Sequence, residues 1–477
     1  MRNVIILLAL LVGACTSPSS YIDNPSTGNA DNSDIIDYID KRLCEEYYWL
    51  DEVEQRSSSF NRRLQWDSYL DDALSKLTTN EDDGYYTSKG QRVYYSYISE
   101  LSRDTRSEVT GFGIDLHYTI AVVDKDSQSY GFIIENVFPD SPAAKAGVRR
   151  GDIIVMYNND YINASNYQIY FNGIQMNTAS TLKLQIRRRA VDIGEESIFS
   201  VNLDKGSYDE TVVMHSEVIE VEGSDKKIGY LVYTGFDSEY DDALVDALRD
   251  FAAESVDDVI LDLRCNSGGA VSSVVTLCSA LVPQSYEDGV LCSLVRNPRN
   301  NRENTSVFKL EDAGSILNLQ RLTVICSGYS ASASELVVMG LRGLDFPVML
   351  IGSTTQGKNC GMDVTRRTVG NRYLEYAPIT FMCLNAKGFG DWGEGIVPDI
   401  NLTEENSFGV SDKNYPLPAA DWGDVGYDIA LAVAVAEITG KSVTMSASGT
   451  RAEDAAMDVA AYVDMPIEGL RLYCDQM

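Results

Sequence analysis

Residues 257–281 read DDVILDLRCNSGGAVSSVVTLCSAL. The first half is a short apolar run closed by the pair Gly268-Gly269, and the second half places apolar residues at helical spacing. A buried strand that stops on glycines and feeds a helix is the repeating unit of an α/β layer. The alternation continues in both directions. Upstream lie KIGYLVYTGF and DDALVDALRDFAAE; downstream lie LTVICSG, SASELVVMGLRGL and VMLIGSTT. The span 205–402 is therefore expected to form a parallel sheet with helices packed on it.

The flanks read differently. Residues 34–104 carry apolar positions at helical spacing in DIIDYIDKRLCEEYYWLDEV and SYLDDALSKL, which predicts a helical domain. From 105 to 204 the period falls to two, with GFGIDL, YGFIIENVF, GDIIVMYN and TLKLQIRRR as strands and SPAAKAGV as a short helix. Residues 403–477 add a polar linker, one helix in YDIALAVAVAEITG, and an acidic tail.

The chain has 477 residues, and 39 Lys+Arg against 71 Asp+Glu give a net charge of −32. Such a balance excludes nucleic acid, whose phosphates need clustered cations. Only two histidines, His117 and His215, are present, each in a strand-like stretch and outside any HExxH pattern. A zinc site is not expected, and a serine hydrolase built on this chain needs a base other than histidine. The cysteines after Cys15 show no CxxC spacing; most sit in apolar contexts and read as buried thiols.

Three loops carry possible chemistry. Cys326 to Glu335 reads CSGYSASASE: an apolar strand stops, and tiny residues lead into a helix. A serine at a strand-to-helix turn presents its hydroxyl beside the free N–H groups of the helix start. The plain alternative is a serine N-cap in a tight turn. In LDLRCNSGG (Leu261–Gly269) the glycines let backbone N–H groups approach a developing oxyanion. In TTQGKNCG (354–361) a lysine follows another apolar strand, and a buried lysine can act as general base to serine. Alone, it reads as a solvated loop cation.

Together LDLRCNSGG, SASASE, TTQGK and GEGIVPDI, in this order, resemble peptidase family S41, the C-terminal processing (tail-specific) serine peptidases. The resemblance implies an α/β (α+β multidomain) chain with a ClpP/crotonase-like protease core. It also implies Ser332 as nucleophile and Lys358 as general base, with an oxyanion hole from Ala333 and one of Gly268 or Gly269. Ser330 and Ser334 remain rival nucleophiles. The 26-residue Ser332–Lys358 separation is about one longer than the family spacing. Where many members carry a lysine-orienting glutamine, four residues past the lysine, this chain has Met362.

The GFGI stretch followed by FPDSPAAKAGVRRGDIIVMYN resembles a PDZ domain, whose Gly-flanked loop captures a terminal carboxylate beside an exposed strand edge. The resemblance assigns peptide binding to Gly111, Phe112, Gly113 and Ile114, with Phe112 and Ile114 flanking an apolar pocket and Asp115 close enough to weaken capture.

MRNVIILLALLVGAC (1–15) reads as a signal peptide whose V-G-A-C ending resembles a bacterial lipobox, with Cys15 lipidated; residues 16–33 are a polar tether. The expected product is an envelope lipoprotein, on the periplasmic or the cell-surface side. It would bind unfolded or C-terminally tagged proteins and cut them through an acyl-enzyme without metal or cofactor. The alternatives are a catalytically inactive relative that binds peptides, and a carrier of an apolar ligand.

Overall fold

The computed structural model describes residues 32–86, 90–101, 109–124, 129–163, 165–175, 177–189, 196–300, 304–311, 314–402, 421–441, 444–445 and 457–458. Around residue 262 the strand–helix alternation becomes one six-stranded sheet. Its strands run Val213–Glu220, Lys227–Tyr233, Asp258–Asp262, Leu322–Cys326, Val348–Gly352 and Ile400–Asn401 in spatial order. The first pairs antiparallel and the rest parallel.

Both faces are covered, which is why these strands read as unbroken apolar runs. Leu231, Leu261, Val324 and Leu350 point to one face, under the helices Asp241–Ala253, Val271–Leu281 and Ala333–Gly343. Their chain neighbours Tyr230, Ile260, Ile325 and Ile351 point to the other, under the helix Ile429–Thr439. Because parallel strands end on one edge of a sheet, the loops that follow residues 262, 326 and 352 lie side by side. Those loops are the three that carry the candidate chemistry.

The segment before the sheet forms helices Asn32–Glu46, Leu50–Arg56 and Trp66–Leu74, then strands Tyr85–Tyr86, Arg92–Val93 and Tyr97–Glu100. The expectation of helix to residue 104 is corrected here. VYYSYIS (93–99) is rich in aromatic and β-branched residues and suits an extended strand. Tyr97–Glu100 pairs antiparallel with Arg372–Ala377, so the N-terminal unit shares a sheet with the core. Its apolar cluster also takes in Cys360, Met362, Leu374 and Tyr376 from the core.

Between these units the antiparallel strands Ile114–Asp124, Ser129–Val137, Ile153–Tyr157, Thr181–Arg189 and Glu196–Asp204 form a second domain. Two helices complete it: Pro142–Lys145, capped by Ser141, and Tyr167–Gln175, which the sequence reading did not single out. Strand Val109–Gly111 pairs with Gly206–Tyr208 beyond the expected boundary at 204. Trp422 wedges between this domain and the core. Its indole N–H donates to Asn136 Oδ1 at 3.1 Å, the Arg150 guanidinium lies 3.7 Å from its ring centroid, and that of Arg264 5.3 Å.

Candidate active site

The strand Asp258–Asp262 ends in a buried anchor. Arg264 is fully buried and its guanidinium bonds Asp262 and Asp428, with Nη1–Oδ1 of Asp428 at 3.0 Å and Nη2–Oδ2 at 2.6 Å. Burial pushes the Asp428 carboxyl up, but the Arg264 charge and its hydrogen bonds outweigh this and hold it below its ordinary value. Asp428 also caps the helix Ile429–Thr439, accepting from Leu431 N–H. The chain leaving this anchor is shaped by Asn266, whose amide donates to Tyr233 O at 2.9 Å while its Oδ1 accepts from Gly268 N–H at 2.9 Å. The Gly268 N–H is thereby engaged, whereas Gly269 N–H donates to no group among the described residues. Of the two glycines offered for the oxyanion hole, Gly269 is the one with a donor to give.

The serine run lies against this loop and sorts itself. Ser330 Oγ donates to Leu263 O at 2.7 Å and Ser334 Oγ to Asn266 O at 2.8 Å. Both rivals are committed to backbone carbonyls. Ser332 is the turn residue, at φ 56° and ψ −111°, immediately before the helix Ala333–Gly343. A left-handed conformation at a serine is uncommon and is held in place by surrounding contacts. Gly268 lies directly behind it: a Cβ at Gly268 would stand 2.8 Å from Ser332 Cβ and 3.1 Å from Ala333 N. Ala333 N–H, first of the helix, has no acceptor among the described residues. The Ala333 N–H, immediately after Ser332, and the Gly269 N–H, one residue past Gly268, are thus donors uncommitted among the described residues.

Glu335, quoted in SASASE but given no role by the sequence reading, joins this turn to the lysine loop. It is fully buried and accepts four hydrogen bonds: Ser332 N–H at 2.8 Å, Thr355 Oγ1 at 2.6 Å, Gly357 N–H at 2.7 Å and Lys358 N–H at 2.8 Å. Burial raises its carboxyl above the ordinary value against the pull of those donors. The signal was available: glutamate three residues after a turn serine is a capping-box pattern. Thr355 Oγ1 in turn accepts from Ile396 N–H at 2.7 Å, which ties in the GEGIVPDI stretch.

Lys358 is 3% exposed, and its Nζ makes no hydrogen bond among the described residues. The ring centroid of Tyr95, from the N-terminal unit, lies 4.9 Å from Nζ. Met362, at the position of the expected orienting glutamine, is fully buried in the apolar cluster shared with the N-terminal unit. A polar side chain there would need partners the cluster does not offer.

The candidate peptide loop differs from expectation. Phe112 and Ile114 are buried in the core of their own domain. Phe112 N–H donates to Asn177 Oδ1 at 3.2 Å, and Leu116 N–H, on the edge strand, to Gln175 Oε1 at 2.7 Å. Side-chain amides at the end of the helix Tyr167–Gln175 thus occupy the donors that a peptide would take. Gly113 adopts φ 75°, and a Cβ there would fall 2.0 Å from Ser141 Cβ. Asp115 beside the loop is raised to about 6, chiefly by burial. His215 lies on the sheet's outer strand beside Glu217, at 3.5 Å. The His117 side chain and Cys15 lie outside the described residues. Seven described cysteines, 44, 265, 278, 292, 326, 360 and 383, are free thiols.

The family comparison coincides with this geometry: residues 227–402 match the model of peptidase family S41 and residues 133–188 that of the PDZ domain. The chain carries an S41 domain preceded by a PDZ domain. Among curated relatives, the carboxy-terminal processing protease CtpA of Bacillus subtilis is 25% identical over 305 residues. The chloroplastic carboxyl-terminal-processing peptidase 2 of Arabidopsis thaliana is 24% identical over 331. These matches take in 64% and 67% of this chain, and 58% of each relative's own length. A crystal structure of a Bacteroides fragilis protein assigned to the S41 proteases superposes with a TM-score of 0.67 at 22% identity. That alignment covers 88% of this chain and 99% of the other. The S41 fold therefore extends beyond the matched domain to most of the described chain.

Proposed function

We propose that the chain is a serine endopeptidase of the C-terminal processing type that works through Ser332 and Lys358. The reading rests on one arrangement: the Glu335 carboxylate holds the Ser332 turn and the Lys358 loop together, and Lys358 presents a buried Nζ with no hydrogen-bond partner among the described residues. A buried polar atom left without a partner is costly and marks a group kept for chemistry.

In the proposed cycle Ser332 Oγ attacks the scissile carbonyl carbon while its proton passes to Lys358 Nζ, and the carbonyl electrons move onto oxygen. The N–H groups of Ala333 and Gly269 receive that oxyanion. Collapse expels the amine, which takes the proton from Lys358, and water releases the acyl group by the same route. The substrates are unfolded or tagged protein tails, and the PDZ domain holds their C-termini. Binding there requires Asn177 and Gln175 to yield the N–H groups of Phe112 and Leu116. The inactive peptide-binder alternative gains nothing from a loop whose donors are already occupied. The envelope location and the Cys15 anchor rest on residues 1–15 alone.

Steady-state cleavage of an unfolded protein with an apolar C-terminus tests the assignment. Ser332→Ala and Lys358→Ala should abolish turnover, and Ser330→Ala should leave the parent's specificity. Turnover surviving in both of the first two variants would overturn it.

A further inference from the structure

Lys358 lacks the partner that such a base needs. Proton transfer from Ser332 makes it an ammonium inside a buried site, and that charge must be stabilised as it forms. Among the described residues no carboxylate lies within ion-pair distance of Nζ, and Met362 is apolar and buried in the cluster against which Tyr95 packs. What does face Nζ is the ring of Tyr95, its centroid 4.9 Å away.

Tyr95 is held there by an elaborate support that comes from outside the S41 domain. The fully buried Asp83 carboxylate accepts from Tyr95 N–H at 3.1 Å, Ser96 N–H at 2.9 Å, Ser96 Oγ at 2.7 Å and Tyr47 OH at 2.7 Å. Ser96 Oγ then accepts from Ile379 N–H of the core at 2.9 Å. Gln356, two residues before Lys358, donates its N–H to Ser330 O at 3.0 Å, which ties the lysine loop to the serine turn. The backbone that carries the ring is therefore fixed within the N-terminal unit and, through Ser96, to the core strand at Ile379.

We infer that Tyr95 is the positioning residue of Lys358, a cation–π partner supplied by the N-terminal unit where this chain lacks the orienting glutamine. An aromatic face attracts a cation through its quadrupole yet carries no net charge. It favours the ammonium as it develops during acylation without placing a full negative charge beside the waiting amine. The inference rests on the Ser332–Lys358 reading and deepens it by making the N-terminal unit part of the active site.

The test replaces Tyr95 in the full chain by Phe and then by mono-, di- and trifluorophenylalanine, with kcat and KM measured for each beside Lys358→Ala. Fluorine drains the ring's quadrupole with little change of shape, so a purely structural contact stays level across the series. Tyr95→Phe should keep most of kcat, since the aromatic ring is retained. The fluorinated rings should lower kcat stepwise, by roughly two- to thirty-fold in total, with KM unchanged. Tyr95→Leu should match the lowest of them. A level series, with Lys358→Ala inactive, would overturn the role of Tyr95 and leave the dyad standing. Parental turnover by Lys358→Ala would overturn the dyad, and this inference with it.

Discussion

At the scale of single residues, the site turns on which polar atoms are committed and which are not. Ser330 and Ser334 spend their hydroxyls on the carbonyls of Leu263 and Asn266, and Gly268 spends its N–H on Asn266. The N–H groups of Ala333 and Gly269 are left without an acceptor among the described residues. Glu335 is the residue on which the arrangement depends. Glu335→Gln cannot accept from four donors as a carboxylate does, and hydrogen bonds to a charged group are worth about 1.5–3 kcal/mol each. We expect kcat to fall at least roughly tenfold with thermal stability lowered in parallel, measured on a chromogenic peptide and by calorimetry. Asp115 gives a pH prediction of definite sign. Its folded-state pKa of about 6 lies above the ordinary 3.8, so between those values the folded chain holds a proton that the unfolded chain has lost. Its contribution to stability therefore weakens as pH rises through that window. Asp115→Asn should flatten this part of the melting-temperature profile and raise melting above pH 6.

At the scale of elements, three neighbouring parallel strands end on one edge, and each delivers one part of the site. This much was legible in the sequence, because strands buried on both faces announce themselves as apolar runs and glycine pairs mark where they stop. The partners of Lys358 were not legible. Glu335 bonds a loop more than twenty residues away, and Tyr95 reaches Lys358 across 263 positions. Such contacts leave no local periodicity. Nor was the occupied PDZ loop legible, since Asn177 and Gln175 look like ordinary polar residues after a helix. The lysine loop makes a prediction of its own. Gly357 adopts φ 88°, and a Cβ there would lie 2.2 Å from Gly393 O. Gly357→Ala should displace Lys358 and cut kcat while the far-ultraviolet circular dichroism stays parental. The anchor behind the glycine loop makes another. Asp428→Ala leaves Arg264 with one carboxylate partner fewer in a dry site, a loss of about 3–5 kcal/mol, which urea unfolding would read.

At the scale of the whole molecule, the S41 domain is incomplete by itself. The N-terminal unit contributes a strand to the sheet at Arg372–Ala377, closes an apolar cluster over Met362, and places Tyr95 on Lys358. On the opposite side Trp422 packs between Arg150 of the PDZ domain and Arg264 of the glycine-loop anchor. The site thus has neighbours from both flanking units. The anchoring proposal belongs to this scale too. Expression in a bacterial host with labelled palmitate should label the parent chain and not Cys15→Ser; equal labelling of both would contradict a lipid at Cys15.

The central claim, that Ser332 is a nucleophile activated by Lys358, is tested most directly by a fluorophosphonate probe, which phosphonylates only an activated serine. Intact mass followed by peptide mapping locates the adduct. The account predicts one adduct on Ser332 of the parent, none on Ser332→Ala, and a labelling rate that collapses in Lys358→Ala. An adduct on Ser330 or Ser334, or undiminished labelling of Lys358→Ala, would contradict it.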